Sequence, residues 1–285
     1  MAPREDSFQY AGHRIAYDLY GEGDRVIVIA HGLLLSRRMY ERLGPELAAR
    51  GNRVVAVDLL GHGRSDRPTD PRLYNMGAFA EQLVALFDHL ELEAPVVGGT
   101  SLGANVSLEL ASRHPDRAGA LLIEMPVLDN ALLGAAMIFT PMLMALRFGE
   151  PLYRTVAAGA RRIPRTTPLL DLGLDGLRQD PAPSRAVLEG ILFGRTAPPS
   201  EERCELAMPA LVIGHRADPL HPFSDADMLV EEMPAARLVN ANSILEWRLR
   251  PRRLDDELSG FLAECYGSSG NASPDRLASS AHVIP

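Results

Sequence analysis

The pentapeptide Gly99-Thr100-Ser101-Leu102-Gly103 offers one hydroxyl in a setting suited to nucleophilic chemistry, because it follows the short apolar run 95–98 and precedes the helical run 104–114. A serine on such a sharp strand-to-helix turn has its hydroxyl thrust above the end of a sheet. Glycines on either side let the backbone make the turn without a Cβ clash. The bare pattern also occurs in ordinary tight turns, and the strand before it and helix after it set this instance apart. A serine hydroxyl is a poor nucleophile near neutral pH unless a base takes its proton. The chain has eight histidines, while all 29 of its basic residues are arginine. Mechanisms that need a lysine amine, such as Schiff-base or pyridoxal chemistry, are therefore excluded.

The elements that must hold this serine are legible as short, β-branched, nearly continuous apolar runs at 25–30 (RVIVIA), 53–57, 95–98, 120–123 and 210–213, and a last strand is expected at 236–240. Strands buried on both faces of a parallel sheet have this composition. Helical spacing lies between them. Phe79, Leu83, Phe87 and Leu90 recur on one face of a segment that Asn75 is placed to cap. The alternation of strand and helix predicts an α/β fold with a doubly wound, mostly parallel sheet.

That rhythm breaks over residues 127–204, where helical segments follow one another without a clear strand, as an inserted helical cap would. The expected organisation is one α/β domain over residues 1–266 carrying this cap, followed by a disordered tail over 267–285 rich in Ser, Gly and Ala. The stretch 131–146 is apolar and uncharged, yet it falls short of the roughly 20 residues a spanning helix needs and contains Pro141. We read it as a cap helix and expect no membrane span. Met137 and Met142 within it, and Met125 before it, are candidates for contact with a small hydrophobic substrate or ligand. Packing of cap onto body explains the same side chains equally well.

Two further motifs bear on function: His31-Gly32 directly after the RVIVIA strand, and Asp58-Leu59-Leu60-Gly61-His62-Gly63-Arg64-Ser65-Asp66-Arg67-Pro68 after the next. Together with the serine turn they resemble the α/β-hydrolase family, in the family's order, over about residues 10–266. The resemblance implies that the amides of Leu33 and Leu102 form an oxyanion hole, and that His31 and His62 organise loops. It also implies an acid at Asp218, in a segment resembling the family's acid-bearing loop, with Glu124 as a second possible acid. The departure concerns the base. The family places a histidine after the last strand, and counting back from Pro251 that position falls on Ile244, with no histidine anywhere in 222–281. His221, three residues after Asp218, is the candidate that compensates.

Composition narrows the remaining classes. A net charge of −8 and the lack of a clustered positive excess argue against nucleic acid as a partner. Two distant cysteines, Cys204 and Cys265, suggest neither a zinc site nor a disulfide framework, and no metal or organic cofactor is implied. The first residues run straight into charge without an apolar leader pattern, which favours the cytoplasm. Two functional readings follow. In one, the chain is a hydrolase cleaving an ester, thioester, amide or activated carbon–carbon bond through acylation of Ser101. In the other, the same pocket serves a non-acylating protein, a ligand binder or a lyase- or cyclase-type catalyst. No feature of the sequence fixes an oligomeric state.

Overall fold

The computed structural model describes residues 2–164, 174–216, 218–243 and 245–267. Eight strands form one sheet in the order β1-β2-β4-β3-β5-β6-β7-β8. Their bounds are β1 Arg4–Tyr10, β2 His13–Tyr20, β3 Arg25–Ala30, β4 Asn52–Val57, β5 Val96–Thr100, β6 Ala120–Glu124, β7 Ala210–His215 and β8 Ala236–Ala241. From β4 to β8 every pairing is parallel, while β1 and β2 add an antiparallel edge. The five apolar runs correspond to β3 through β7 and the expected last strand to β8, with ends moved by one or two residues.

The antiparallel pair β1–β2 was not among the expected strands, because β1 is mostly exposed and lacks a continuous apolar run. Its signal was the turn. Ala11 and Gly12 both take positive φ, 49° and 81°, as a two-residue hairpin of the primed type requires.

Burial explains the continuous runs. Along β3, Val26, Val28 and Ala30 pack into the core on one face of the sheet, whereas Ile27 and Ile29 pack into the core on the other. Successive side chains of a strand point to opposite faces, so a strand covered on both sides has no polar position to spare. Helices α1 (Leu43–Ala49), α2 (Met76–His89) and α3 (Leu102–Arg113) lie between these strands. Phe79, Leu83 and Phe87 of α2 are buried, and the Asn75 side chain accepts from the Ala78 amide at 2.9 Å to cap the helix.

Between β6 and β7 the chain leaves the sheet and forms α4 (Leu132–Phe148), α5 (Glu150–Arg162), α6 (Pro181–Leu192) and the short α7 (Ser200–Arg203). Pro141 lies inside α4 without ending it. Two buried polar residues fasten this insertion to the body. Asn105 of α3 donates to the carbonyls of Val127 and Thr196, at 2.8 and 2.9 Å, and accepts from the Val127 amide at 3.1 Å. Asp225, in α8 (Phe223–Glu232), accepts from the amides of Leu128, Asn130 and Ala131 at 2.7–3.2 Å. After β8 come the short α9 (Glu246–Leu249) and then α10 (Arg252–Gly267). The expected tail lies outside the described residues, apart from Gly267, which ends α10.

The closest backbone approach in the sheet's centre is at Ala30. A Cβ on residue 99 would stand 2.0 Å from the Ala30 carbonyl oxygen, and one on residue 103 would stand 1.9 Å from it. Strand β5 and the first turn of α3 can both rest on the end of β3 only because both positions are glycine. Gly103→Ala is expected to lower stability by about 3 kcal/mol or more, since backbone must move to admit the methyl group. Chemical denaturation of wild type and variant measures this, and an unchanged midpoint would contradict the packing described.

Candidate active site

Ser101 stands between β5 and α3 with φ 54° and ψ −108°, a conformation non-glycine residues rarely adopt. Its amide donates to the Glu124 carbonyl at 2.9 Å, its carbonyl accepts from Asn105 N at 2.9 Å, and Gly103 N donates to the His31 carbonyl at 3.1 Å. Backbone bonds on both sides thus hold the strained residue in place. The side chain is half-buried, so the hydroxyl is not sealed in the core.

The loop from β7 to α8 supplies the other two groups. Asp218 Oδ1 accepts from the amides of Leu220 and His221 at 2.9 and 3.0 Å, which folds the loop back on itself. The same turn brings the His221 ring against its other oxygen, with Nδ1 2.9 Å from Asp218 Oδ2. Nδ1–H donates to the ionised carboxylate, which leaves Nε2 as the acceptor nitrogen, and Nε2 lies 2.9 Å from Ser101 Oγ. Burial pushes the Asp218 carboxyl up, but the His221 ring and the two amides outweigh it and hold the group below its ordinary value. Hydroxyl, imidazole and carboxylate thus form a continuous chain able to move a proton off Ser101. A separation of three residues, which made His221 uncertain from sequence, is what lets one turn fix the ring.

His31 is fully buried and committed to structure. Its Nδ1 donates to the Gly32 carbonyl at 2.8 Å and its Nε2 accepts from the Leu59 amide at 3.1 Å. His62 lies beside it, tilted by 50° with ring centroids 4.7 Å apart, and donates from Nδ1 to the Leu60 carbonyl. Burial depresses the pKa of both rings, for His62 reinforced by the neighbouring His31, so both are neutral at ordinary pH. These rings brace the loops after β3 and β4. Gly32 packs against the Thr100 carbonyl, where a Cβ would lie 3.7 Å away, and this sets the Leu33 loop beside the serine turn. Among the described residues, neither the Leu33 nor the Leu102 amide has a protein acceptor, so both are free to donate to a ligand.

Glu124 does not reach the His221 relay. Its fully buried carboxylate accepts from the Thr100 hydroxyl and from Arg248 at 3.1 and 3.2 Å, and lies 3.3 Å from His215 Nε2. The Thr100 hydroxyl is also 3.1 Å from Tyr40 OH, which donates to the Ala30 carbonyl. Burial pushes Glu124 up, yet Arg248 and His215 override it and bring it down to about 2. His215 is raised in turn: burial pushes it down, and the Glu124 carboxylate more than compensates. Glu124 is the anchor of a buried ionic cluster directly below the serine turn. Sequence reasoning assigned no role to His215 or Arg248. The signal for His215 was its place at the end of β7, two residues beyond the Ile213 that pairs with Glu124 on β6.

Of the methionines proposed to touch a substrate, Met142 packs against the core cluster, and Met125, at φ 55°, is half-buried beside the end of β7, its amide donating to the Ile213 carbonyl. Met137 faces outward at 65% exposure, so a role lining an internal pocket does not hold for it. The apolar face of α4 to which it belongs is turned to solvent. Ile244, the position vacated by the family's histidine, lies outside the described residues. A cleft of about 1000 Å³ opens elsewhere, past the Leu33 loop, lined by polar side chains including Arg37, Arg67 and Gln179, and touches neither Ser101 nor His221. No three His, Cys, Asp or Glu side chains gather as metal ligands among the described residues.

Comparison with known proteins agrees with this architecture. The family described as alpha/beta hydrolase fold matches residues 25–166, and with the sheet topology this shows that the chain belongs to that family. A hydrolase from Pseudomonas aeruginosa PA01 superposes with TM-score 0.75 at 21% identity, over 90% of this chain and 98% of that one. The enol-lactonase from Burkholderia xenovorans LB400 does so with TM-score 0.73 at 21% identity, over 90% and 100%. In sequence, 79 residues are 42% identical to the 2-hydroxymuconate semialdehyde hydrolase of Pseudomonas sp. (strain CF600), covering 28% of this chain and 27% of that protein. A haloalkane dehalogenase of Mycolicibacterium paratuberculosis is 33% identical over 105 residues, 37% of this chain and 35% of the relative. The matches thus span well under half the length of these curated relatives.

The Glu124 cluster carries a pH signature. A carboxyl held at about 2 when folded and near its ordinary value when unfolded adds stability above pH about 4.5, which is lost as pH falls toward 2. Glu124→Gln is expected to flatten that part of the acid limb, measured by urea unfolding at pH 5, 4 and 3. Equal slopes in wild type and variant would remove Glu124 as an acid-labile anchor.

Proposed function

We propose that this chain is a serine hydrolase that cleaves an ester, thioester, amide or activated carbon–carbon bond of a small hydrophobic substrate through an acyl-enzyme on Ser101. One observation carries the reading: His221 bridges Asp218 and Ser101 with 2.9 Å contacts on both sides. Family membership and the printed activities of the relatives, a semialdehyde hydrolase and a dehalogenase among them, support hydrolytic chemistry without identifying the substrate. The exposed thiol of Cys204 fits a reducing compartment such as the cytoplasm.

In this mechanism His221 Nε2 takes the Ser101 proton as Oγ attacks the carbonyl carbon. The carbonyl oxygen becomes negative and accepts from the amides of Leu33 and Leu102. Asp218 stabilises the imidazolium without itself taking the proton. When the tetrahedral adduct collapses, the imidazolium gives its proton to the leaving group, and Ser101 remains acylated. Water, deprotonated by the same Nε2, then attacks the acyl carbon, and the proton returns to Ser101 as the acid departs.

Ser101→Ala is expected to abolish turnover of short and medium acyl esters and stoichiometric labelling by a fluorophosphonate, with folding intact. His221→Ala is expected to lower kcat by about 10³-fold or more with thermal stability nearly unchanged, the oxyanion amides sustaining a small residual rate. Undiminished ester turnover in either variant would overturn the assignment.

A further inference from the structure

The pair α4–α5 leaves most of its apolar surface uncovered. Only Leu143 and Leu146 of α4 are buried, and only Ala157 and Ala160 of α5. Leu133, Met137, Phe148 and Leu152 are 65–78% exposed, and Val156 and Ile163 extend the same surface. Large apolar side chains concentrated on one helical pair are unusual on a soluble surface and mark a contact with something else. The charges here are also unlike the rest of the chain. Four arginines, Arg147, Arg154, Arg161 and Arg162, accompany a single glutamate, Glu150, in a protein of net charge −8. Glu150 is already paired with Arg154, at 2.7 Å.

We propose that the α4–α5 face docks on an anionic lipid surface, lying in the interface with its apolar side chains among the acyl chains and its arginines at the headgroups. Apolar residues beside a basic rim are what such a surface binds. No single helix among the described residues is long and apolar enough to cross a membrane, and the bend of 102° between α4 and α5 suits a pair lying along the interface. A second copy of the chain fits less well, because a two-fold contact through this face would bring its positive rims together. The docked face also adjoins the loop that carries Asp218 and His221. The first turn of α4 rests on that loop, with a Cβ at Gly134 standing 3.7 Å from the Pro219 carbonyl oxygen. Docking would thus hold the Ser101 site close to a lipophilic substrate dissolved in the bilayer, although the docking itself does not depend on the proposed acylation.

Co-sedimentation of the full chain with phosphatidylcholine vesicles, with and without phosphatidylglycerol, tests this, using wild type and Ser101→Ala in parallel so that binding is read apart from catalysis. Both proteins are expected to bind the phosphatidylglycerol vesicles and to be released by high salt. The double variant Leu133→Asp/Phe148→Asp should weaken binding by about tenfold or more, since two large apolar side chains no longer insert. A separate reporter, Phe148→Trp, should show a blue-shifted emission on the same vesicles, the native Trp247 being buried. Absence of binding to anionic vesicles, binding that Leu133→Asp/Phe148→Asp leaves unchanged, or an unshifted reporter would overturn the proposal. So would light scattering that shows a wild-type dimer converted to monomer by the double variant, which would assign the face to a second copy.

Discussion

Everything at the centre of this protein depends on how closely three backbone segments meet at the Ala30 carbonyl. Strand β5 approaches it at Gly99 and helix α3 approaches it at Gly103, each too near for any side chain. That approach drives the chain through a turn so sharp that Ser101 takes a left-handed φ, and the hydroxyl is left above the sheet's end. Strain of this kind persists only where the surroundings over-determine it. Here they do. Ser101 N is held by the β6 carbonyl of Glu124, Gly103 N by His31, and the Thr100 side chain by the Glu124 carboxylate beneath.

The buried ionic cluster explains how a charged network can sit so near an apolar core. Glu124 is hydrogen-bonded by Arg248 and faces the His215 ring at 3.3 Å, and Thr100 and Tyr40 connect the cluster to the end of β3. A buried carboxylate without these partners would be costly. The cluster is thereby bound to the position of α9, which carries Arg248. The chain segment in which the family places its histidine therefore delivers a guanidinium to a structural anion, while the ring beside Ser101 comes from the loop after β7.

With the proposed base on the proposed acid's own loop, one relation becomes local and another becomes long-range. The relation between His221 and Asp218 is local, fixed by a single turn whose amides bind the carboxylate. The relation between His221 and Ser101 spans 120 residues of sequence and rests on the pairing of β5 and β7 with β6 between them, with α3 and α8 following those two strands. Asp225 and Asn105 stabilise that packing by fastening the inserted helices to the same two elements.

The apolar runs by themselves determined β3 through β7, because a strand buried on both faces has no room for alternation, and the glycine-flanked serine by itself determined the turn on β5. They did not determine β1, whose exposed side chains carry no such pattern and whose pairing followed from a two-residue turn. Sequence also raised His221 as a candidate base, but not the direction of its ring, since the direction in which a loop presents a ring is set by what the loop packs on. Only the tertiary structure decided that Glu124 belongs to a buried cluster with His215 and Arg248, because the partners lie 91 and 124 residues away. Only it showed that Met137 faces solvent, because α4 is apolar nearly all round and periodicity cannot choose a buried face where every face is alike.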